Sequence, residues 1–272
     1  MGSDVFRYDG KRVLVVGGAT GMGAATAQLV ADLGAEVIVL DVADVTYPVA
    51  ASAKVDLRDQ ASVDTAVDGI DGRIDVVMAC AGVADGTEGL MRINFIAQRH
   101  LIDRLIERGS LGRGGSVVFI SSAAGIGWQP ELPTLLDFLS NRTWDEAVAW
   151  PDSMPGYEHY MFSKQVINAY VAAEAMGMLT QGIRLNAILP GPTDTPLSRA
   201  NDLWLEFGVD YRAATGRPTL VPEQMAGAMA FLGSDAASGV SGVTLVVDDA
   251  QVASSISGAF PDELVNALLG QS

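Results

Sequence analysis

Arg12-Val13-Leu14-Val15-Val16-Gly17-Gly18-Ala19-Thr20-Gly21-Met22-Gly23 is the stretch from which the fold can be read. It opens with a short apolar run that ends in glycines, the pattern of a buried parallel strand. Met22 to Leu33 then shows helical spacing of Ala24, Ala27, Gln28, Val30 and Ala31, with Gly34 as a C-cap. Between strand and helix, Gly17, Thr20, Gly21, Met22 and Gly23 form a turn suited to a phosphate. Such a group needs backbone N–H donors and no side chains in the way, and the helix N-terminus adds partial positive charge. Glycine spacing alone is weak, because ordinary strand–helix turns share it. Its place directly after an apolar strand marks a dinucleotide cradle.

The same alternation continues outward from this stretch. Further strands are expected at Val37–Asp41, Ala53–Asp56, Asp75–Ala79, Ser116–Ser121, Ile183–Ile188 and Val243–Val247. Helices are expected over Asp59 to Gly69, Gly89 to Glu107, Tyr157 to Gly177 and Pro222 to Phe231. Short apolar strands alternating with helices predict an α/β fold, a doubly wound parallel sheet of seven strands in one Rossmann-type domain. Two stretches break the rhythm. Residues 127–156 hold three of the four tryptophans, Trp128, Trp144 and Trp150, and Thr143-Trp144-Asp145-Glu146 is a capping-box pattern. Residues 195–218 carry Leu197, Leu203, Trp204, Leu205 and Phe207 and read as a substrate loop.

Bulk composition narrows the partners. With 272 residues, 49% hydrophobic and 18% charged, the chain can bury a sizeable core. A formal charge of −16 argues against nucleic acid or an anionic membrane surface, both of which need a basic face. One cysteine, Cys80, excludes an internal disulfide and reads as a small buried residue. His100 and His159 form no ligand cluster, so no metal is expected. Neither a signal peptide nor a transmembrane helix is expected, and the expected location is cytoplasmic.

Two further features carry chemistry. Asp41 ends the second expected strand about 20 residues past the glycines, where a carboxylate accepts both ribose hydroxyls of NAD. No Arg or Lys in Leu40-Asp41-Val42-Ala43-Asp44 would offset a 2′-phosphate, so NAD is expected over NADP. Tyr160 and Lys164 stand four residues apart in Tyr160-Met161-Phe162-Ser163-Lys164, about one helical turn. A neighbouring ammonium favours the phenolate and makes a tyrosine a usable acid/base. His159 reads as a polar rim residue.

Together these residues resemble the short-chain dehydrogenase/reductase family over essentially the whole chain. Its glycine motif matches at Gly17, Gly21 and Gly23, with Val16 in place of a threonine. An Asp–aliphatic pair that contacts adenine matches Asp56-Leu57. The family's Asn-Asn-Ala-Gly after the fourth strand stands here as Ala79-Cys80-Ala81-Gly82, so both asparagines are missing while Ala81 and Gly82 remain to line the adenosine. The catalytic Asn matches Asn94, the catalytic Ser matches Ser122, and Tyr160 with Lys164 completes the tetrad. The Pro-Gly segment appears as Pro190-Gly191-Pro192-Thr193-Asp194-Thr195, which implies that Thr193 and Thr195 run along the nicotinamide.

What the resemblance implies is reversible hydride transfer between NAD(H) and an apolar secondary alcohol or its ketone. Tyr160 would be the acid/base, and Lys164 would depress its pKa and bind the nicotinamide ribose. Ser122 would donate to the substrate oxygen, and Asn94 would hold a water linking Lys164 to solvent. Ser122 and Tyr160 stand much farther apart than is usual in the family. That gap, with Thr193-Asp194-Thr195-Pro196-Leu197, is similar to the bacterial NAD-dependent 3α-hydroxysteroid dehydrogenase/carbonyl reductase branch. A homodimer or homotetramer is implied, and residues 127–156 are expected to shape both the substrate mouth and the oligomer. A nucleotide-binding scaffold or redox sensor without turnover is the contrasting reading, and other chemistry on the same fold is a third.

Overall fold

In the computed structural model, which describes residues 3–200 and 207–270, the first strand β1 (Arg12–Val16) sends its side chains into two cores. Leu14 and Val16 enter one apolar cluster, and Val13 and Val15 enter the other. A period-two strand buried on both faces has this consequence. The remaining strands are β2 (Glu36–Asp41), β3 (Ala51–Lys54), β4 (Val76–Ala79), β5 (Ser116–Ile120), β6 (Arg184–Pro190) and β7 (Thr244–Val247). They form one sheet in the order β3-β2-β1-β4-β5-β6-β7. Every pairing is parallel, with Val13 in register with both Val37 and Val76. Strand order reverses between β1 and β4, which opens a crevice at the carboxyl ends of these strands.

Helices cover both faces. On one side α1 (Gly21–Asp32) lies against a helix at Pro222–Gly233. On the other side lie α2 (Gln60–Asp68), α3 (Ala97–Glu107), α4 (Leu132–Ser140), α5 (Trp144–Ser153) and α6 (Tyr160–Thr180). Continuing the chain order, α7 is Pro196–Arg199, α8 is Val209–Thr215, α9 is the Pro222–Gly233 helix, α10 is Gln251–Ile256 and α11 is Glu263–Leu268.

Three expectations need correction. The third strand lies two residues earlier than expected. As an edge strand exposed along its whole length, β3 has no buried face to mark it, and the buried Val55 that drew attention follows the strand. The helix expected over Gly89 to Glu107 is interrupted by a π-turn at Arg92–Ile96, which carries Asn94, before α3 begins. Such turns insert an extra residue per turn and leave carbonyls needing new donors. The helix expected from Tyr157 starts at Tyr160, with His159 as its N-cap.

Residues 127–156 fold inward. Phe138 of α4 meets Phe95 at 6.0 Å and Phe162 at 5.8 Å between centroids, while Trp150 of α5 stacks on Phe162 at 5.6 Å. Leu135, Leu139 and Trp144 are buried with them. Thr143 and Glu146 form the capping box that starts α5. Arg99, 2% exposed, places its guanidinium 5.5 Å from the Phe95 ring and donates to the carbonyl of Asn141 at 2.8 Å. That contact ties the end of α4 to α3. Leu203, Trp204 and Leu205 lie outside the described residues.

Candidate active site

At the reversal of strand order the chain after β1 must pass the turn after β4. A Cβ on Gly17 would stand 2.5 Å from the Cα of Ala81, and one on Gly23 would stand 2.0 Å from the Gly17 carbonyl oxygen. Both positions therefore require glycine. Thr20, the N-cap of α1, makes no side-chain capping bond, whereas Asp59 caps α2 in that way. The first amides of α1 thus remain available to an anion, which fits a pyrophosphate.

A cleft of about 410 Å³ extends from this turn. Its lining holds Gly17, Thr20, Gly21, Met22 and Gly23 from the loop, then Asp41, Asp56, Leu57, Ala81, Gly82 and Thr195. The sequence-predicted cofactor residues from five separate segments therefore meet on one surface. Asp41 accepts from the Ala19 amide through Oδ2 and from the Ala43 amide through Oδ1, both at 2.8 Å. Each carboxylate oxygen keeps a lone pair for a further donor such as a ribose hydroxyl. Cys80 also lines this cleft and is half-buried rather than enclosed. Arg58 was not anticipated from sequence. It lines the cleft while its guanidinium pairs with Asp56 at 2.7 Å, holding that carboxyl below the usual range.

A second cleft of about 340 Å³ adjoins the first, and Met22, Thr195 and Leu197 belong to both. Ser122, Tyr160 and Thr193 line it, so Thr193 faces this cleft and not the nucleotide one. Thr195 caps α7 through a reciprocal bond with Ser198, whose hydroxyl also donates to the Thr193 carbonyl at 2.7 Å. Phe207, Leu264 and Leu268 supply apolar wall. Residues 127–156 contribute nothing to the described lining, because their aromatic side chains are used in the core. The expectation that they shape the substrate mouth is not met.

Four predicted catalytic residues gather where the clefts meet the end of β5. Ser122 follows that strand, its hydroxyl accepts from the Ala124 amide at 3.1 Å, and it lines the same cleft as the Tyr160 phenol. Lys164, 3% exposed, lies one turn along α6 with its ammonium 5.4 Å from the Tyr160 ring centroid, donating to the Ile120 carbonyl at 3.0 Å. Ser121 donates to the Lys164 carbonyl at 3.0 Å, so β5 and α6 are joined on both sides of the lysine. Asn94 grips Val83, accepting from its N–H at 2.8 Å and donating to its carbonyl at 3.1 Å. Its amide also donates to the Ser163 hydroxyl at 3.0 Å, next to Lys164.

The electrostatics depart from the expectation that Lys164 depresses the phenol. Burial pushes Tyr160 up to about 12, although one side opens on the cleft; the Ser122 hydrogen bond acts in the opposite direction, and the Asp85 charge adds to the rise. Burial likewise brings Lys164 down to about 8, partly offset by the Cys80 thiol. Burial thus disfavours the charged form of each. His159 is the N-cap of α6: its Nδ1 accepts from the Phe162 amide at 3.2 Å.

Gln98 is a site residue that motif reading passes over. Its side-chain nitrogen lies 3.0, 2.9 and 3.0 Å from the carbonyls of Ala81, Ile93 and Asn94, so its two N–H groups serve three acceptors, one of them shared. The amide therefore serves both the turn after β4 and the π-turn. A glutamine four residues after an expected catalytic Asn, on the same helical face, was the available signal.

Comparison with known proteins agrees with this geometry. Residues 11–133 match the short chain dehydrogenase family, and residues 147–249 match the family described as Enoyl-(Acyl carrier protein) reductase. The chain is 33% identical to the cis-4-hydroxycyclohexanecarboxylate dehydrogenase of Sinomonas cyclohexanicum, over 88% of its length and 95% of the relative's. It is 29% identical to the 3-alpha-hydroxysteroid dehydrogenase/carbonyl reductase of Comamonas testosteroni, over 87% and 94%. The crystal structure of the 3-alpha-hydroxysteroid dehydrogenase from Pseudomonas sp. B-0831 complexed with NADH superposes with a TM-score of 0.74 at 27% identity, covering 92% of this chain and 99% of that one. The chain is an oxidoreductase of the short-chain dehydrogenase/reductase family.

Proposed function

We propose that the protein interconverts an apolar secondary alcohol and its ketone with NAD(H). The observation that carries this reading is the junction itself. The Ser122 hydroxyl and the Tyr160 phenol share the lining of an apolar cleft, and that cleft adjoins one with the features of a nucleotide site. When bound, the nicotinamide supplies the hydride acceptor or donor. In the alcohol-to-ketone direction Tyr160 takes the hydroxyl proton, and Ser122 steadies the charge that develops on the substrate oxygen. Lys164 compensates the phenolate. Asn94 holds the turn at Val83 and reaches Lys164's helix through Ser163, consistent with a proton path behind the lysine.

The glycine turn, the uncapped α1 and the two-oxygen acceptor at Asp41 support a dinucleotide with a free 2′-hydroxyl, hence NAD in preference to NADP. The wall formed by Phe207, Leu264 and Leu268 supports an alicyclic or steroid-like substrate. The test is a panel of cyclic and steroid alcohols and ketones with purified protein, followed as NADH absorbance. Formation of NADH with several apolar secondary alcohols is the expected result. Tight NAD binding with no turnover of any alcohol or ketone would instead favour a nucleotide-binding scaffold.

A further inference from the structure

The charged side chain on the described lining of the substrate cleft is Asp85, and it is an acid. It lies in the turn after β4, exposed at the cleft mouth. The Tyr160 N–H donates to its Oδ1 at 2.6 Å, which fixes the carboxylate at the start of α6. Its second oxygen has no hydrogen-bond partner among the described residues. The polar remainder of the lining consists of hydroxyls, Ser122, Thr193 and Thr195 among them.

A substrate with its own carboxylate would bring like charge beside Asp85. Apolar walls weaken the solvent screening that would otherwise soften this contact. We propose that Asp85 is a charge filter: the cleft takes neutral and ammonium-bearing secondary alcohols and rejects those that carry a carboxylate. The proposal rests on the alcohol–ketone reading above and adds the charge class of the substrate to it.

Four 4-substituted cyclohexanols of similar size separate the cases: the carboxamide, the methyl ester, the free carboxylate and the primary amine. In the wild-type protein with NAD, kcat/KM for the carboxamide should exceed that for the carboxylate by roughly tenfold, the scale of a partly screened like-charge contact. Added salt should narrow the ratio. Asp85→Asn keeps an acceptor for the Tyr160 amide and removes the charge, so the carboxamide-to-carboxylate ratio should fall several-fold, whatever change in turnover all four substrates share. Asp85→Ala, which also removes that acceptor, should slow all four substrates alike beyond this effect. Equal use of carboxamide and carboxylate by the wild type, or an unchanged ratio in Asp85→Asn, overturns the filter and leaves the alcohol–ketone reading intact. Failure to oxidise any of the four removes that reading for alicyclic alcohols, and the filter with it.

Discussion

The side-chain amide of Gln98 donates to the carbonyl of Ala81 at 3.0 Å, joining the π-turn that carries Asn94 to the turn that follows β4. In this chain Ala79-Cys80-Ala81-Gly82 lacks the two asparagines of the family pattern, and Gln98 with Asn94 holds that turn from the helical side. Gln98→Leu would leave the carbonyls of Ala81, Ile93 and Asn94 without this buried donor. A loss of about 1–3 kcal/mol is expected for a buried group left unpaired. Urea unfolding measures it. kcat should fall with the KM for NAD changed less, because Asn94 loses its fixed position. A variant as stable and as active as wild type would show that the three bonds are incidental.

Asp41 ends β2 with each carboxylate oxygen already holding one backbone amide. We expect NAD to be preferred over NADP by ~10-fold or more in kcat/KM, a difference of at least about 1.4 kcal/mol. Asp41→Ala should narrow that preference. Equal use of NADH and NADPH by the wild type would remove the role given to Asp41.

Lys164 carries a stability cost that its function imposes. Its folded-state pKa is lowered to about 8 from an ordinary 10.5. Below about 8 the ammonium is buried and charged, and the cost is full. Between about 8 and 10.5 the unfolded chain binds more protons than the folded one, so this contribution to stability rises with pH. Lys164→Met should therefore stabilise the cofactor-free protein at pH 7 by roughly 1–3 kcal/mol while abolishing turnover. The gap between variant and wild type should shrink towards pH 10. A gap independent of pH would contradict the assignment.

Much of this arrangement was legible in the chain. Strands such as Arg12–Val16 are apolar on both faces and bounded by glycines, so their positions and parallel sense follow from sequence. Asn94, Ser122, Tyr160 and Lys164 were legible through family spacing, and their clustering follows from strand order. Other features had no local signature. β3 is exposed throughout, so periodicity misplaced it. Gln98 had only its place four residues past Asn94 to mark it, since its bond to Ala81 spans 17 residues, and Arg58 enters the nucleotide cleft beside its partner Asp56. The tryptophan-rich segment was readable as apolar, but whether it faced substrate, partner or its own core depended on Phe95 and Phe162, which come from distant elements.

That segment now bears on assembly. α4 and α5 pack over Phe95, next to Asn94, and over Phe162 of α6. With that surface covered, a dimer is expected by light scattering. Replacing residues 127–156 with a short loop would expose Phe95, Phe162 and Tyr170, and should cause aggregation or further association. A soluble tetramer in both forms would contradict the expectation.

The central claim is that Tyr160 moves the substrate's proton at the junction of the two clefts. The direct measurement is single-turnover NADH formation by wild type and Tyr160→Phe with the same apolar alcohol, beside NAD binding by each. A positioned acid/base contributes about 10² or more to the rate. A loss of at least that size is expected for Tyr160→Phe, with NAD affinity within a few-fold of wild type. Retention of more than about a tenth of the wild-type rate by Tyr160→Phe would contradict it.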